Sequence, residues 1–367
     1  MLYNSIQPGN IWLDTNGNPI QAHGGSLYTE DGTFYWYGEN KEKTTSDNDI
    51  WHWGVRCYSS NDLYNWIDLG LIIPPNLEDK DSPLHPTKCM DRPHIIYNRK
   101  TKKYACWIKI IEDFGIQTMT VLQADHFLGP YELAKLRLQP CGMYSGDFDL
   151  FVERRDGKGY ILFDRPHTDV VCANLTEDYL DVSGYYSTHL PHMGTPFARE
   201  APAHFERHGK HFLFTSGTSG YFPNPSEIAQ ALSIHGPWIT LGNAHSDDIT
   251  NTSFNSQISS VFKHPYKKDL YIAVADRWIP NIEELLGDHY QDGSHWIQKT
   301  QEAQMLIEGK IDSNIDMKHM SSKKRTLKEA MSQNTSIARY VWLPVQFTED
   351  GIPYIEWANE WRVEDYE

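Results

Sequence analysis

A short polar motif, a strand, a tight turn and a second strand recur along this chain, and that recurrence restricts the fold more than any other feature. The first unit holds Ala22-His-Gly-Gly25 and Phe34-Tyr-Trp-Tyr-Gly-Glu39 around a turn at Glu30-Asp-Gly32. The second holds Met90-Asp-Arg-Pro93 and Tyr104-Ala-Cys-Trp-Ile108, and the third runs from Tyr144-Ser-Gly-Asp147 through Asp156-Gly157 to Tyr160-Ile-Leu-Phe163. The fourth opens at Phe197-Ala-Arg-Glu-Ala-Pro-Ala-His204 and turns at His208-Gly209; the fifth holds Phe254-Asn-Ser-Gln257 and Asp269-Leu-Tyr-Ile-Ala-Val274. Steps of about 53 to 57 residues separate Asp91, Asp147, Glu200 and Gln257, which is the period of a propeller array. The pattern predicts an all-β fold, a five-bladed β-propeller, with residues 1–367 forming one domain.

In such an array the first residue of every inner strand points to the central axis, so Asp91, Asp147, Glu200 and Gln257 are expected to meet in one pit. Ala201, Pro202 and Ala203 give Glu200 little bulk beside it, which suits an acid facing a space rather than a core. His23 and Glu39 of the first unit join them as candidate contacts. Ser145-Gly-Asp-Phe-Asp149 offers two acids on one face of a strand; register with Asp91 and Glu200 selects Asp147 over Asp149. Lys109 reads as a solvated strand-end lysine that could still reach a hydroxyl. After the fifth motif the alternation stops. Residues 281–338 read as an insertion within the fifth blade, helix-like at Ser322 to Met331. Arg339 to Phe347 and a Gly351-Ile-Pro hairpin then complete that blade.

The net charge of -16 excludes partners whose recognition needs clustered Lys and Arg, so neither nucleic acid nor an anionic membrane surface is expected. A neutral ligand suits this balance, and 12 Trp and 21 Tyr supply more rings than blade packing needs, as sugar stacking would require. The five cysteines, at 57, 89, 106, 141 and 172, form no CxxC pair and read as reduced thiols. No metal site follows from them and no cofactor is required, although the histidines near the pit leave a structural cation on the axis open. The first residues lack a basic start followed by an apolar run, so a cytoplasmic protein without a secretory signal is expected. Oligomeric state is left open.

Splitting a glycosidic bond needs a carboxylic acid whose pKa has been raised, with help for the incoming water. Glu200 fits the acid, and Asp147 the neighbour whose charge keeps it protonated. The fifth motif offers Gln257 where a carboxylate base would be expected.

Taken together, His23-Gly-Gly, Tyr37-Gly-Glu39, Asp91-Arg-Pro, Ser145-Gly-Asp147, Arg199-Glu-Ala-Pro-Ala203, Thr215-Ser-Gly217, Gly236-Pro-Trp238, Ser256-Gln257 and Asp276-Arg-Trp278 resemble glycoside hydrolase family 43, most of all its exo-β-1,3-galactanase branch. The resemblance implies inverting hydrolysis from the non-reducing end, releasing galactose from β-1,3-linked galactan or galacto-oligosaccharides. It makes Glu200 the general acid, Asp147 its pKa modulator and Gln257 the glutamine found where other members carry a base. Asp91 matches a Glu that holds a sugar hydroxyl, Glu39 a second substrate contact, and Thr218 a further polar contact. Asp91 is one methylene shorter than the Glu it matches, about 1.5 Å less reach. Thr218-Ser-Gly-Tyr221 replaces a more usual Cys and Trp. Both departures keep two alternatives in play: an α-L-arabinofuranosidase or β-xylosidase of the same family, and a propeller that binds sugar or protein without turnover.

Overall fold

In the computed structural model, which describes residues 2–45, 47–112, 115–192, 194, 197–282 and 334–367, the strands form five four-stranded antiparallel sheets. Blade 1 contains β1 (His23–Glu30), β2 (Thr33–Glu39), β3 (Val55–Ser60) and β4 (Ile67–Ile73). Blade 2 contains β5 (Cys89–Asn98), β6 (Lys103–Ile111), β7 (Gln117–Ala124) and β8 (Glu132–Leu138). Blade 3 contains β9 (Phe148–Val152), β10 (Gly159–Arg165), β11 (Asp169–Leu175) and β12 (Val182–His189). Blade 4 contains β13 (Arg199–Arg207), β14 (Lys210–Gly217), β15 (Glu227–Ala231) and β16 (Ile239–Gly242). Blade 5 contains β17 (Gln257–Lys263), β18 (Tyr271–Arg277), β19 (Arg339–Phe347) and β20 (Pro353–Tyr354).

The first strand of each sheet contacts the first strands of its two neighbours, in the cycle β1, β5, β9, β13, β17 and back to β1. That closed ring makes the fold a five-bladed β-propeller, as the repeat predicts. Sheets stacked face to face around an axis bury both faces of their middle strands, which is why Lys103–Ile111 reads as an almost unbroken apolar run, whereas Glu132–Leu138 at the outer edge is exposed. The turns follow from local chemistry. Asp31 (φ 48°) with Gly32 (φ 84°), and His208 (φ 51°) with Gly209 (φ 73°), supply the two positive φ values that a two-residue hairpin needs.

The seam between blades 5 and 1, where the ring closes, is the most aromatic: Trp36, Trp66, Tyr340 and Trp342 are buried together, with the Trp36 and Trp342 rings 4.5 Å apart. The seam between blades 3 and 4 is built from smaller groups, among them Leu162, Val170, Cys172 and Leu213. All five cysteines are free. The insertion falls between β18 and β19, and the helix expected at 322–331 lies outside the described residues. Just before β19, a single 3-10 turn at Thr335–Ile337 is capped by the Asn334 side chain.

Candidate active site

Every blade places a cross-strand pair at the same end of the ring. The pairs are His23 with Glu39, Asp91 with Lys109, Glu200 with Ser216 and Gln257 with Asp276. In blade 3 the position falls on Asp147, one residue before β9, whose carbonyl accepts from Asp164 N at 3.0 Å. In blades 1, 2 and 4 the residue that follows the inner partner has a positive φ: Gly24 at 61°, Arg92 at 51° and Ala201 at 53°. Pairing register slips at each of these points. A bulge at the tip of an inner strand turns the preceding side chain toward the axis, and Arg92 and Ala201 hold it without the freedom of glycine, at a cost of about 1–3 kcal/mol each. Gly24 has no such alternative, since a Cβ there would lie 2.4 Å from Glu39 Oε1.

The side chains form one continuous chain of contacts. Gln257 Nε2 donates to Glu200 Oε1 at 3.3 Å, and Arg92 Nη2 donates to Gln257 Oε1 at 2.7 Å. Arg92 Nε then meets Asp147 Oδ2 at 2.9 Å, and Lys109 Nζ bridges Asp147 Oδ1 at 2.9 Å and Asp91 Oδ2 at 3.1 Å. On the blade 1 side, Arg92 N donates to Glu39 Oε1 at 2.8 Å while Lys41 Nζ lies 2.7 Å from Glu39 Oε2. The structure thus brings Asp91, Asp147, Glu200 and Gln257 together, as the repeat requires.

Other expected contacts are placed differently. His23 and Glu39 are 0% and 1% exposed, behind the surface of the pit. Both ring nitrogens of His23 are engaged, Nδ1 with Asp276 Oδ1 at 3.0 Å and Nε2 with Tyr340 Oη at 3.2 Å. Thr218 is buried just past β14, and its hydroxyl has no hydrogen-bond partner among the described residues. Lys109, expected to be solvated, is buried, because its register opposite Asp91 carries it between two carboxylates. Asp149 accepts from Leu150 N and His204 N and pairs with His94. His204 also meets His211, whereas His94 Nε2 has no hydrogen-bond partner among the described residues. Among the described residues, no group of three or more His, Cys, Asp or Glu is arranged to hold a metal ion.

Two residues escaped the sequence reading. Asp164, one residue before the end of β10, lies directly against Gly146, where a Cβ would lie 2.1 Å from its Oδ2. Arg92 was visible in Asp91-Arg-Pro, but its span from Asp147 to Gln257 was not. The signal was the second strand of each blade, whose pit-end residue opposes the inner tip.

The pit separates its carboxyls electrostatically. Burial works to raise Asp147, but the Arg92 and Lys109 charges outweigh it and hold this carboxyl down at about 2. Burial first, then the neighbouring Asp147 and Asp164, push Glu200 well above the usual carboxylate range. Burial and the Asp147 charge do the same to Asp164. Glu39 is pushed up to about 7 by burial, against the pull of Lys41. Beside an Asp147 held down by cations, a Glu200 whose carboxyl is pushed up can hand a proton to a leaving oxygen.

That outline, set in the mouth of a propeller, is one of a glycoside hydrolase. The profile of Glycosyl hydrolases family 43 matches residues 17–275, and the chain belongs to that family. No curated protein matches it. A family 43 β-1,3-galactosidase of known structure is 29% identical, with a TM-score of 0.75 over 99% of this chain and 65% of that one. A second β-1,3-galactosidase of the family, solved with galactodeoxynojirimycin, is 25% identical, with a TM-score of 0.75 over 97% of this chain and 100% of that one. The exo-β-1,3-galactanase of Phanerochaete chrysosporium, solved with galactose, is 25% identical, with a TM-score of 0.72 over 98% of this chain and 68% of that one. The chain therefore spans about two thirds of the length of the first and third of these relatives.

Proposed function

We propose that this chain is an inverting, exo-acting hydrolase that releases galactose from β-1,3-linked galactan or galacto-oligosaccharides. The observation that carries the reading is the unequal treatment of two neighbouring carboxyls: Asp147 is clamped by Arg92 and Lys109, while burial and neighbouring acids push Glu200 well above the usual carboxylate range. Glu200 donates its proton to the glycosidic oxygen as the bond to the anomeric carbon breaks. Asp147 keeps that proton in place at neutral pH. Asp91, anchored by Lys109, offers a carboxylate to a sugar hydroxyl. Galactose as the sugar is supported by the ligands and activities named for the relatives above. No cofactor enters these steps.

The shorter reach of Asp91 and the presence of Tyr221 favour one second reading, an arabinofuranosidase or xylosidase acting with the same acid. A panel of p-nitrophenyl glycosides together with β-1,3-galactobiose separates the readings. Galactoside cleavage is expected, and Glu200→Gln should lower kcat on the disaccharide by about 10²- to 10⁴-fold, the usual worth of a general acid. Turnover of pentosides alone would replace galactose with the second reading, and no turnover of any glycoside would leave a binding propeller. NMR of the first-formed anomer checks inversion.

A further inference from the structure

The amide of Gln257 is held at both ends. Its Oε1 accepts from Arg92 Nη2 at 2.7 Å and from Trp278 Nε1 at 3.3 Å. Its Nε2 donates to Ser216 Oγ at 2.8 Å and to Glu200 Oε1 at 3.3 Å. Guanidinium and indole nitrogens only donate, so the amide atom facing them is the oxygen, and the orientation follows from the chemistry of its neighbours. A primary amide has two lone pairs on oxygen and two N–H groups, and here all four are used. To take a proton from water, Oε1 would first have to release the buried Arg92 guanidinium or the Trp278 indole. Distance points the same way. An inverting acid and base stand about 6.5–9.5 Å apart, with the anomeric carbon and a water between them, whereas Gln257 touches the acid.

We infer that Gln257 is a positioning residue for Glu200 rather than the group that activates water, an inference that rests on the glycosidase reading with Glu200 as acid. The N–H donated to Oε1 makes that oxygen an acceptor and leaves the acid proton on Oε2, which has no hydrogen-bond partner among the described residues. In the reaction, the Oε2 proton passes to the glycosidic oxygen, which keeps the electron pair of the broken C–O bond. Water bonds to the anomeric carbon and releases one proton to solvent, and Glu200 recovers one from solvent. The Gln257 N–H stabilises the Glu200 carboxylate that forms in between, a hydrogen bond that strengthens when its acceptor becomes charged. Arg92, Trp278 and Ser216 keep the amide from turning.

Leaving groups of different quality test this assignment. A 2,4-dinitrophenyl glycoside departs without protonation, whereas a disaccharide of the same sugar needs the acid. Glu200→Gln sets the scale on both substrates. Gln257→Ala should follow its pattern, with kcat reduced by about 10- to 100-fold on the disaccharide but within about 3-fold of wild type on the activated substrate, since only assistance to the acid is lost. Its basic limb in kcat/KM should move to higher pH, because losing a donor to the charged form raises the acid's pKa. Ser216→Ala, which loosens the amide without removing it, should show a weaker copy of both effects and serves if Gln257→Ala does not fold. Equal losses on both substrates, or recovery of Gln257→Ala by azide, would overturn the inference and give the amide to the water. Failure of the wild type to cleave either substrate would instead remove the glycosidase reading itself.

Discussion

On blades 1 to 3, Lys41, Arg92 and Lys109 are threaded among Glu39, Asp91 and Asp147, whereas blades 4 and 5 face them with a carboxyl, a hydroxyl, an amide and an indole, those of Glu200, Ser216, Gln257 and Trp278. A carboxyl behaves differently in each half. On the charged side, cations pull Asp147 down against burial. On the other side, no comparable clamp reaches Glu200, and burial dominates. The same desolvation thus has opposite outcomes in the two halves, and the difference lies in the cations, Arg92 and Lys109, that blade 2 brings to Asp147 and not to Glu200.

The largest effect in testing this contrast should come from Asp147→Asn. Losing that charge removes a main cause of the raised Glu200 pKa and leaves Arg92 and Lys109 to lower it further. Both changes have one sign: Glu200 loses its proton at lower pH, and the basic limb of kcat/KM should move to more acidic pH. On a disaccharide at neutral pH, kcat should fall by about 10²- to 10³-fold.

Lys109→Met tests the charged half as a structure. Burial works against the Lys109 charge, but Asp147 and Asp91 outweigh it and keep the ammonium well above the usual lysine range. Without it, buried Asp147 and half-buried Asp91 lose the cation between them, and urea unfolding should show a loss of about 3–5 kcal/mol, the cost of breaking a buried pair from one side. A variant as stable as the wild type would mean that Arg92 alone suffices.

The smallest effect should belong to Asp164→Asn. Burial and the Asp147 charge push its carboxyl well above the usual range, its push on Glu200 ranks behind burial and Asp147, and an amide of nearly the same shape takes its place. Activity within about 3-fold of the wild type is expected, with the basic limb moved to more acidic pH by less than in Asp147→Asn. A shift as large as that of Asp147→Asn would show that the two acids share the charge.

The repeat made the inner tips legible, since motifs such as Asp91-Arg-Pro and Arg199-Glu-Ala-Pro mark where each inner strand begins, and their spacing carried the five blades with them. What stayed hidden were the partners. Lys109 looks like any lysine near the end of an apolar run, and Asp164 like the polar close of Tyr160-Ile-Leu-Phe163. Their roles depend on register, and register shifts just after Asp91 and Glu200, where Arg92 and Ala201 adopt positive φ. Neither residue type announces such a conformation, as Gly24 does in blade 1. The amide network of Gln257 was hidden for a related reason, since Arg92, Ser216 and Trp278 come from three different blades.

The kinked tips also say how a catalyst of this shape can change its preferences. Blades 1, 2 and 4 each present a side chain from a backbone corner of their own, so an exchange at one corner adjusts reach by the length of a methylene without moving the backbone of the others. Asp91→Glu would be such an exchange: a dial on one spoke of the wheel, turned with the hub left unmoved.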